Sequence, residues 1–257
     1  MKKRTAIYLP TNVAGRSEIE AGFNWLLQLV KSDPKKKSAL LAVPVLDNLN
    51  HDIATLLGEK QVKALAEGKP ITINSSLELS LLTERKQIYS WPGPVLAIFP
   101  SKKLLDAIDE LPDVTDILVI PWVMEKVQYW IDTWNAMPLG GQNPPPIRFN
   151  LNPVVQAALD SLTHRVNLST GVSHPSDKAA TVRMFEILRQ NGFQYDPKEV
   201  RVWLISHGGW KSTDADEVQT IADRVLQGRQ FRVERGGWNE KILDIWKEDA
   251  KKNWGGT

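Results

Sequence analysis

The 257-residue sequence contains no cysteine, which excludes disulfide bonds, thiolate metal ligands and a cysteine nucleophile. Every apolar run is far shorter than the ~20 residues that a membrane span needs. The basic start, residues 1–4, leads into a strand pattern rather than the apolar core of a signal peptide. These absences predict a cytoplasmic protein without a membrane segment. The sequence also has neither the lysine-containing phosphate loop nor the three-glycine dinucleotide fingerprint, and no cofactor is predicted.

A strong excess of charge of one sign is also missing, since 32 Lys and Arg face 30 Asp and Glu. This balance disfavours a non-specific nucleic-acid binder. The alternative left open is that the arginine-rich segment with Arg229, Arg232 and Arg235 contacts a nucleic acid or an acidic partner. The histidines are few and isolated, so no metal site is predicted. They are His51, His164, His174 and His207.

What the first half does contain is a repeated pattern, in which a short apolar run ends on a proline and opens into a helical pattern. The four runs are 6–10, 40–44, 95–100 and 117–121. Continuous apolar runs are typical of strands buried on both faces of a parallel sheet. Proline ends each strand because it has no N–H to donate. Strands that alternate with helices in this way predict βαβ units with helices on both faces of the sheet.

Residues 1–136 are therefore predicted to form a Rossmann-like α/β domain, with a mostly parallel sheet of about five strands. The strands are predicted at 5–10, 39–45, 70–75, 94–100 and 116–122, and the helices at 17–32, 49–67, 101–111 and 123–135. Ser17 and Glu20 match a capping box for the first helix. Residues 76–92 are left open, although Leu77, Leu79 and Leu81 alternate with polar residues as in an antiparallel or edge strand.

Residues 137–149 are predicted to be a linker, because two glycines and four prolines interrupt regular structure there. Residues 150–257 are predicted to form a smaller, mainly helical domain. Its helices are expected at 152–166, 176–191, 197–207, 213–227 and 239–252. Residues 137–257 hold nine of the twelve arginines, and the chain as a whole has ten tryptophans. Because Arg and Trp are enriched at interface hot spots, we expect the helical domain to engage a protein partner.

Polar residues follow the predicted strands, and ligands of open α/β sheets bind at the carboxyl ends of strands. After the first strand come Thr11, Asn12, Gly15, Arg16 and Ser17, where a helix N-terminus offers N–H groups to an anion. The other strand ends contribute six more candidate ligand-binding residues: Asp47, Asn48, Asn74, Ser75, Ser101 and Trp122. Amides, hydroxyls, one acid and a tryptophan suit a polar ligand that carries a ring.

Three functions are consistent with this sequence. The first is binding of a polar, nucleotide-like or phosphorylated ligand at the strand ends. The second is a hydrolase or glycosidase-type enzyme that uses the same crevice, with Asp47, His51 or Glu125 as acid–base residues. The third is a structural component of a protein or nucleoprotein assembly with no small ligand. The sequence contains no evident set of nucleophile, base and orienting group, so the first function is favoured.

Overall fold

The computed structural model describes residues 4–11, 13–142, 149–233 and 237–254. The chain divides into two compact units, one within residues 3–146 and the other within residues 147–257. The first unit contains a mixed, mostly parallel sheet with helices, and the second is helical where it is described. The predicted fold class, an α/β part followed by a helical part, is confirmed.

The sheet has seven strands in the order β3-β4-β2-β5-β6-β1-β7. The strands are β1 Thr5–Tyr8, β2 Ser38–Ala42, β3 Ile71–Ile73, β4 Leu77–Leu82, β5 Val95–Ile98, β6 Asp116–Ile120 and β7 Met137–Pro138. All neighbours pair in parallel except β3 and β4, which are antiparallel. Residues 76–92, left open in the sequence, thus supply β4. This strand pairs antiparallel with β3, as its alternating pattern indicates, and it lies between β3 and β2 rather than at an edge.

Two residues assigned to the linker belong instead to the sheet. Met137 and Pro138 pair with Ile7 and Tyr8 of β1 as the edge strand β7, and the Leu139 N–H donates to the Tyr8 carbonyl oxygen at 2.8 Å. Proline is tolerated at an edge because its missing N–H interrupts no further ladder. The sheet therefore extends through Pro138.

The helices of this unit are α1 Arg16–Ser32, α2 Asp52–Leu57, α3 Glu59–Ala66, α4 Lys102–Glu110 and α5 Gln128–Trp134. The single helix predicted over 49–67 is wrong in one respect, because it is divided at Gly58. With φ 91° and ψ 145°, Gly58 ends α2 and begins α3. Glycine adopts this backbone conformation without the penalty that a side chain would bring.

Each face of the sheet has its own apolar core. On one face, Ile19 of α1, Ile53 of α2 and Leu65 of α3 pack on residues of the sheet. On the other face, Leu105 of α4 and Trp130 of α5 do the same. The chain therefore leaves β2 over one face toward β4, and leaves β5 over the other face toward β6. This makes the gap between β2 and β5 the topological switch point, where open α/β sheets bind ligands.

The second unit contains α6 Pro153–Arg165, α7 Pro175–Gln190, α8 Pro197–Ser206, α9 Ser212–Leu226 and α10 Ile242–Asn253. The first three begin with proline, which suits the first helical position. Each of these prolines follows a residue whose side chain caps the helix, namely Asn152, His174 and Asp196. Buried Phe185, Trp203 and Trp246 lie in the interior of this unit.

Candidate functional site

A cavity of about 810 Å³ lies at the carboxyl ends of β2, β5 and β6. These strands are neighbours in the sheet and include the two that flank the switch point. The wall is formed by residues after each strand and by single residues of α1 and α5. They are Ile19, Asp47, Asn48, Asn50, His51, Asp52, Ile53, Phe99, Pro100, Ser101, Lys102, Trp122, Val123, Lys126, Val127 and Tyr129. A cavity of this volume is in the range that accommodates a drug-sized ligand.

The structure brings together five of the residues predicted for the crevice: Asp47, Asn48, His51, Ser101 and Trp122. The other described candidates are not among the lining residues; they are Thr11, Gly15, Arg16, Ser17, Asn74, Ser75 and Glu125. Asn12 and Arg235 lie outside the described residues.

Trp122 is the aromatic wall of the cavity. Its side chain is 60% exposed although it is large and apolar, and it contacts Phe99 edge to face, with ring centroids 5.1 Å apart. The Phe99 contact orients the indole and leaves much of it open to solvent. An exposed indole of this kind offers a flat surface on which a planar ring can stack.

Two wall residues have positive φ although neither is glycine. His51 has φ 62° and Phe99 has φ 52°. A bulky residue in this region is a conformational outlier, and such outliers cluster at functional sites. His51 immediately precedes α2, and its carbonyl oxygen accepts hydrogen bonds from both the N–H and the hydroxyl of Thr55. One strained position therefore lies directly after β5, and the other lies immediately before α2, in the segment that follows β2.

The charges in the cavity balance, because the lining residues include two carboxylates, Asp47 and Asp52, and two ammonium groups, Lys102 and Lys126. Lys102 is engaged locally, since its Nζ lies 2.7 Å from an Asp106 carboxylate oxygen and 5.3 Å from the centre of the Tyr129 ring. Lys126 was not predicted as a site residue. Lys126 lies four positions after Trp122, in the same segment that follows β6. This position after a strand end is the signal that could have identified it.

Two of the predicted ligand-binding residues have structural roles. The Asn48 side-chain oxygen accepts the Val45 N–H at 3.1 Å. The Ser101 hydroxyl accepts the Leu104 N–H at 3.1 Å as the N-cap of α4, and it donates to Glu84 at 2.5 Å. These bonds fix the loops that follow β2 and β5, so both residues shape the wall of the cavity.

The predicted anion site at the start of α1 is occupied by the chain's own carboxylate. Glu18 accepts the Gly15 N–H and the Ser17 hydroxyl, each at 2.8 Å. The hydrogen bond from Gly15 contributes most to lowering the pKa of Glu18. The cap is thus Gly15 with Glu18, not Ser17 with Glu20. A carboxylate at this helix end takes the place that an anionic ligand would need.

Asn74 and Ser75 do not lie where the sequence placed them. They form the turn between β3 and β4, and both have positive φ. Because β3 runs antiparallel to β4, its last residue lies at the amino edge of the parallel strands. The prediction that these two residues share the crevice is therefore wrong, and the antiparallel pairing is the reason.

The residues proposed for acid–base chemistry are only partly assembled. Asp47 and His51 line the cavity and Glu125 does not. Within the part of the chain that the structure describes, no group of three His, Asp or Glu side chains is placed to hold a metal ion. A glycosidase mechanism needs two carboxyl groups on opposite sides of the scissile bond, and the predicted set does not supply them.

The predicted protein interface in the helical unit stays a prediction. Trp203, Trp210 and Trp246 are buried there, so these tryptophans contribute to the core. The Trp238 indole N–H donates to the Ala180 carbonyl oxygen at 2.8 Å and its ring lies 4.8 Å from the Arg165 guanidinium carbon.

Residues 151–247 match the model of a protein family described as a domain of unknown function, DUF1889. The match covers most of the described helical unit and none of the sheet. Comparison of the chain with curated proteins and with solved structures gave no match. Among the helices in the described ranges, none is both long enough and apolar enough to cross a membrane.

Proposed function

We propose that the α/β unit binds a small polar molecule with a planar ring, of the nucleoside or nucleotide class, in the cavity at the switch point. The observation that carries this proposal is the solvent-exposed Trp122 on the wall of a cavity at the carboxyl ends of β2, β5 and β6. An indole on the wall of a cavity offers a flat apolar face on which a planar ring can stack, and such aromatic walls are typical of small-molecule sites.

The other wall residues suit the remaining parts of such a ligand. Asp47 and Asn50, which follow β2, offer oxygen acceptors for sugar hydroxyls. Lys126 offers a cation at the same wall as Trp122. A ligand with a ring, hydroxyl groups and a negative charge would use all three kinds of group, whereas a purely apolar molecule would leave the carboxylates unpaired.

The direct test is a thermal-shift and calorimetric screen of the full chain with nucleosides, nucleotides and sugar phosphates. A ligand that binds only the native state raises the unfolding free energy by about 2.7 kcal/mol at ~100 times its dissociation constant. Trp122→Ala should weaken binding by about fivefold or more, because stacking of one base contributes ~1–3 kcal/mol. Tyr89→Ala is the matched control, since Tyr89 is 85% exposed and outside the cavity wall.

Two results would contradict the proposal. One is that no compound of the screen stabilises the chain. The other is that Trp122→Ala binds as tightly as the unaltered chain. In the second case the ring binds elsewhere, and the cavity at the switch point loses its assigned role.

A further inference from the structure

A second cavity, of about 530 Å³, adjoins the first along the carboxyl edge of the sheet. Its wall is formed by residues that follow β2, by the end of β4 with the residues after it, and by the end of α3 with Gly68 beyond it. They are Pro44, Val45, Leu46, Asp47, Leu65, Ala66, Gly68, Leu81, Thr83, Arg85 and Lys86. Asp47 lines both cavities. The two therefore meet at the end of β2.

The charge in the second cavity differs from that in the first. Its lining residues include two cations, Arg85 and Lys86, and one carboxylate, Asp47. Both cations are exposed. Glu84, the neighbouring acid, is engaged elsewhere, since it accepts the Ser101 hydroxyl and lies 3.9 Å from Lys103 Nζ. The second cavity thus has an excess of positive charge, whereas the charges of the first cavity cancel.

Two backbone hydrogen bonds fix the turn that carries the two cations. The Lys86 N–H donates to the Thr83 carbonyl oxygen at 3.1 Å, and the Glu84 N–H donates to the Pro44 carbonyl oxygen at 3.3 Å. The first bond closes a turn over 83–86, and the second ties this turn to the end of β2. A planar guanidinium beside an ammonium group is a combination that binds phosphate oxygens well.

We propose that Arg85 and Lys86 bind the phosphate chain of a nucleotide whose base lies against Trp122, with Asp47 between them at the sugar hydroxyls. This inference rests on the proposed function and adds the ligand's orientation and class, a nucleoside polyphosphate. The strands that carry these residues are β4, β2 and β6, with β5 between the last two. Neighbouring strands lie ~4.8 Å apart, so the sites span roughly 14 Å. An elongated ligand is required, because a lone base or a lone phosphate does not reach both ends.

The test compares adenosine, AMP and ADP, and the matching guanosine series, by isothermal titration calorimetry on the full chain. Arg85→Gln with Lys86→Gln removes both cations and keeps polar side chains. The control is Lys35→Gln with Lys37→Gln, which removes the same charge from two exposed residues that precede β2 at the opposite edge of the sheet. Each titration is repeated at low and high salt, because an ionic contact weakens with screening.

In the unaltered chain and in the control, we expect the diphosphate to bind at least tenfold more tightly than the nucleoside, with this advantage falling at high salt. In the Arg85→Gln, Lys86→Gln variant the diphosphate should bind no better than the nucleoside, whose affinity stays unchanged. Equal affinity of nucleoside and diphosphate for the unaltered chain would overturn the inference and leave the proposed function standing. Tighter binding of the diphosphate than of the nucleoside by the Arg85→Gln, Lys86→Gln variant would also overturn the inference and leave the proposed function standing. Binding of neither compound would overturn both.

Discussion

A buried ion pair joins the start of β1 to the helices on one face of the sheet. The Arg4 side chain is 1% exposed, and its Nη1 lies 3.2 Å from an Asp109 carboxylate oxygen. The same carboxylate accepts the indole N–H groups of Trp130 at 3.1 Å and Trp134 at 2.9 Å. The Arg4 guanidinium also lies 4.6 Å from the centre of the Trp134 ring. This arrangement uses one acid to hold β1, α4 and α5 together, at the cost of burying two charges.

The burial of Asp109 predicts a pH dependence of stability. Burial raises the pKa of Asp109 to about 6 from 3.8, an effect that outweighs the attraction of Arg4 and the two indole hydrogen bonds and that Asp106 reinforces. An acid with a raised native pKa contributes most stability below its unfolded pKa. This contribution is lost as the pH rises from about 4 through about 6. Over this pH range the free energy of unfolding therefore falls by about 3 kcal/mol through the titration of Asp109.

Asp109→Asn removes this titration and retains an oxygen that can accept an indole N–H. We therefore expect the stability advantage of the unaltered chain over Asp109→Asn to shrink by up to about 3 kcal/mol between pH 4 and pH 7. Urea unfolding of both proteins at several pH values measures this difference in the free energy of unfolding. Lys69→Gln, which removes one partner of an exposed ion pair with Glu67, is the control. The difference in unfolding free energy between the unaltered chain and Lys69→Gln should stay constant over the same pH range. A difference that grows with pH would show that the ionised form of Asp109 is favoured in the native state.

At the scale of elements, α1 shows which features the sequence predicts and which it does not. Its extent was predicted to within a residue, because its apolar positions recur at the spacing of a helix. Its cap was predicted at the wrong residues, since Ser17 and Gly15 both precede an acid by three positions and local spacing does not decide between them. The edge strand β7 was missed because its two residues form no apolar run and are ordered by β1.

The packing of α1 on the sheet depends on Gly22. A β-carbon there would lie 2.8 Å from the terminal methyl groups of Leu96 and Ile120, which are fully buried. Gly22→Ala would gain up to ~1 kcal/mol in helix propensity, but overpacking of a filled core costs ~1–3 kcal/mol. We expect a net destabilisation of about 1 kcal/mol by chemical denaturation.

Asn24→Ala on the same helix is the matched control, because Asn24 is exposed. It improves helix propensity without entering the core, so it should stabilise the protein by a few tenths of a kcal/mol. If Gly22→Ala stabilised the protein as much as Asn24→Ala does, α1 would lie farther from β5 and β6 than the structure places it.

At the scale of the whole molecule, the strand order decides which sequence-predicted site residues meet. The ends of β1, β2, β5 and β6 could each be predicted from an apolar run and a proline, but strand order is set by non-local pairing that such a pattern does not encode. Asp47, Ser101 and Trp122 share one cavity because β2, β5 and β6 are neighbours. Asn74 and Ser75 are separated from them because β3 runs in the opposite direction. Arg85 and Lys86 escaped prediction because residues 76–92 had no assigned strand.

The division into two units predicts that the sheet folds without the helical region. Domain boundaries fall where few contacts cross, and a unit with its own core can fold alone. The sheet unit has apolar cores on both faces. We therefore expect a fragment of residues 1–142 to be soluble and to unfold cooperatively in urea, as followed by circular dichroism.

A shorter fragment, residues 1–136, tests the role of β7. It lacks Met137 and Pro138, which pair with β1, and Leu139, which donates to Tyr8. The loss leaves β1 as an unprotected edge strand, and such edges promote association. We expect the shorter fragment to be less stable than residues 1–142 by about 1–3 kcal/mol, from lost hydrogen bonds and lost burial, and to aggregate more readily. Equal stability of the two fragments would show that β7 contributes nothing to the sheet. An unfolded 1–142 fragment would show that the two units form one cooperative domain.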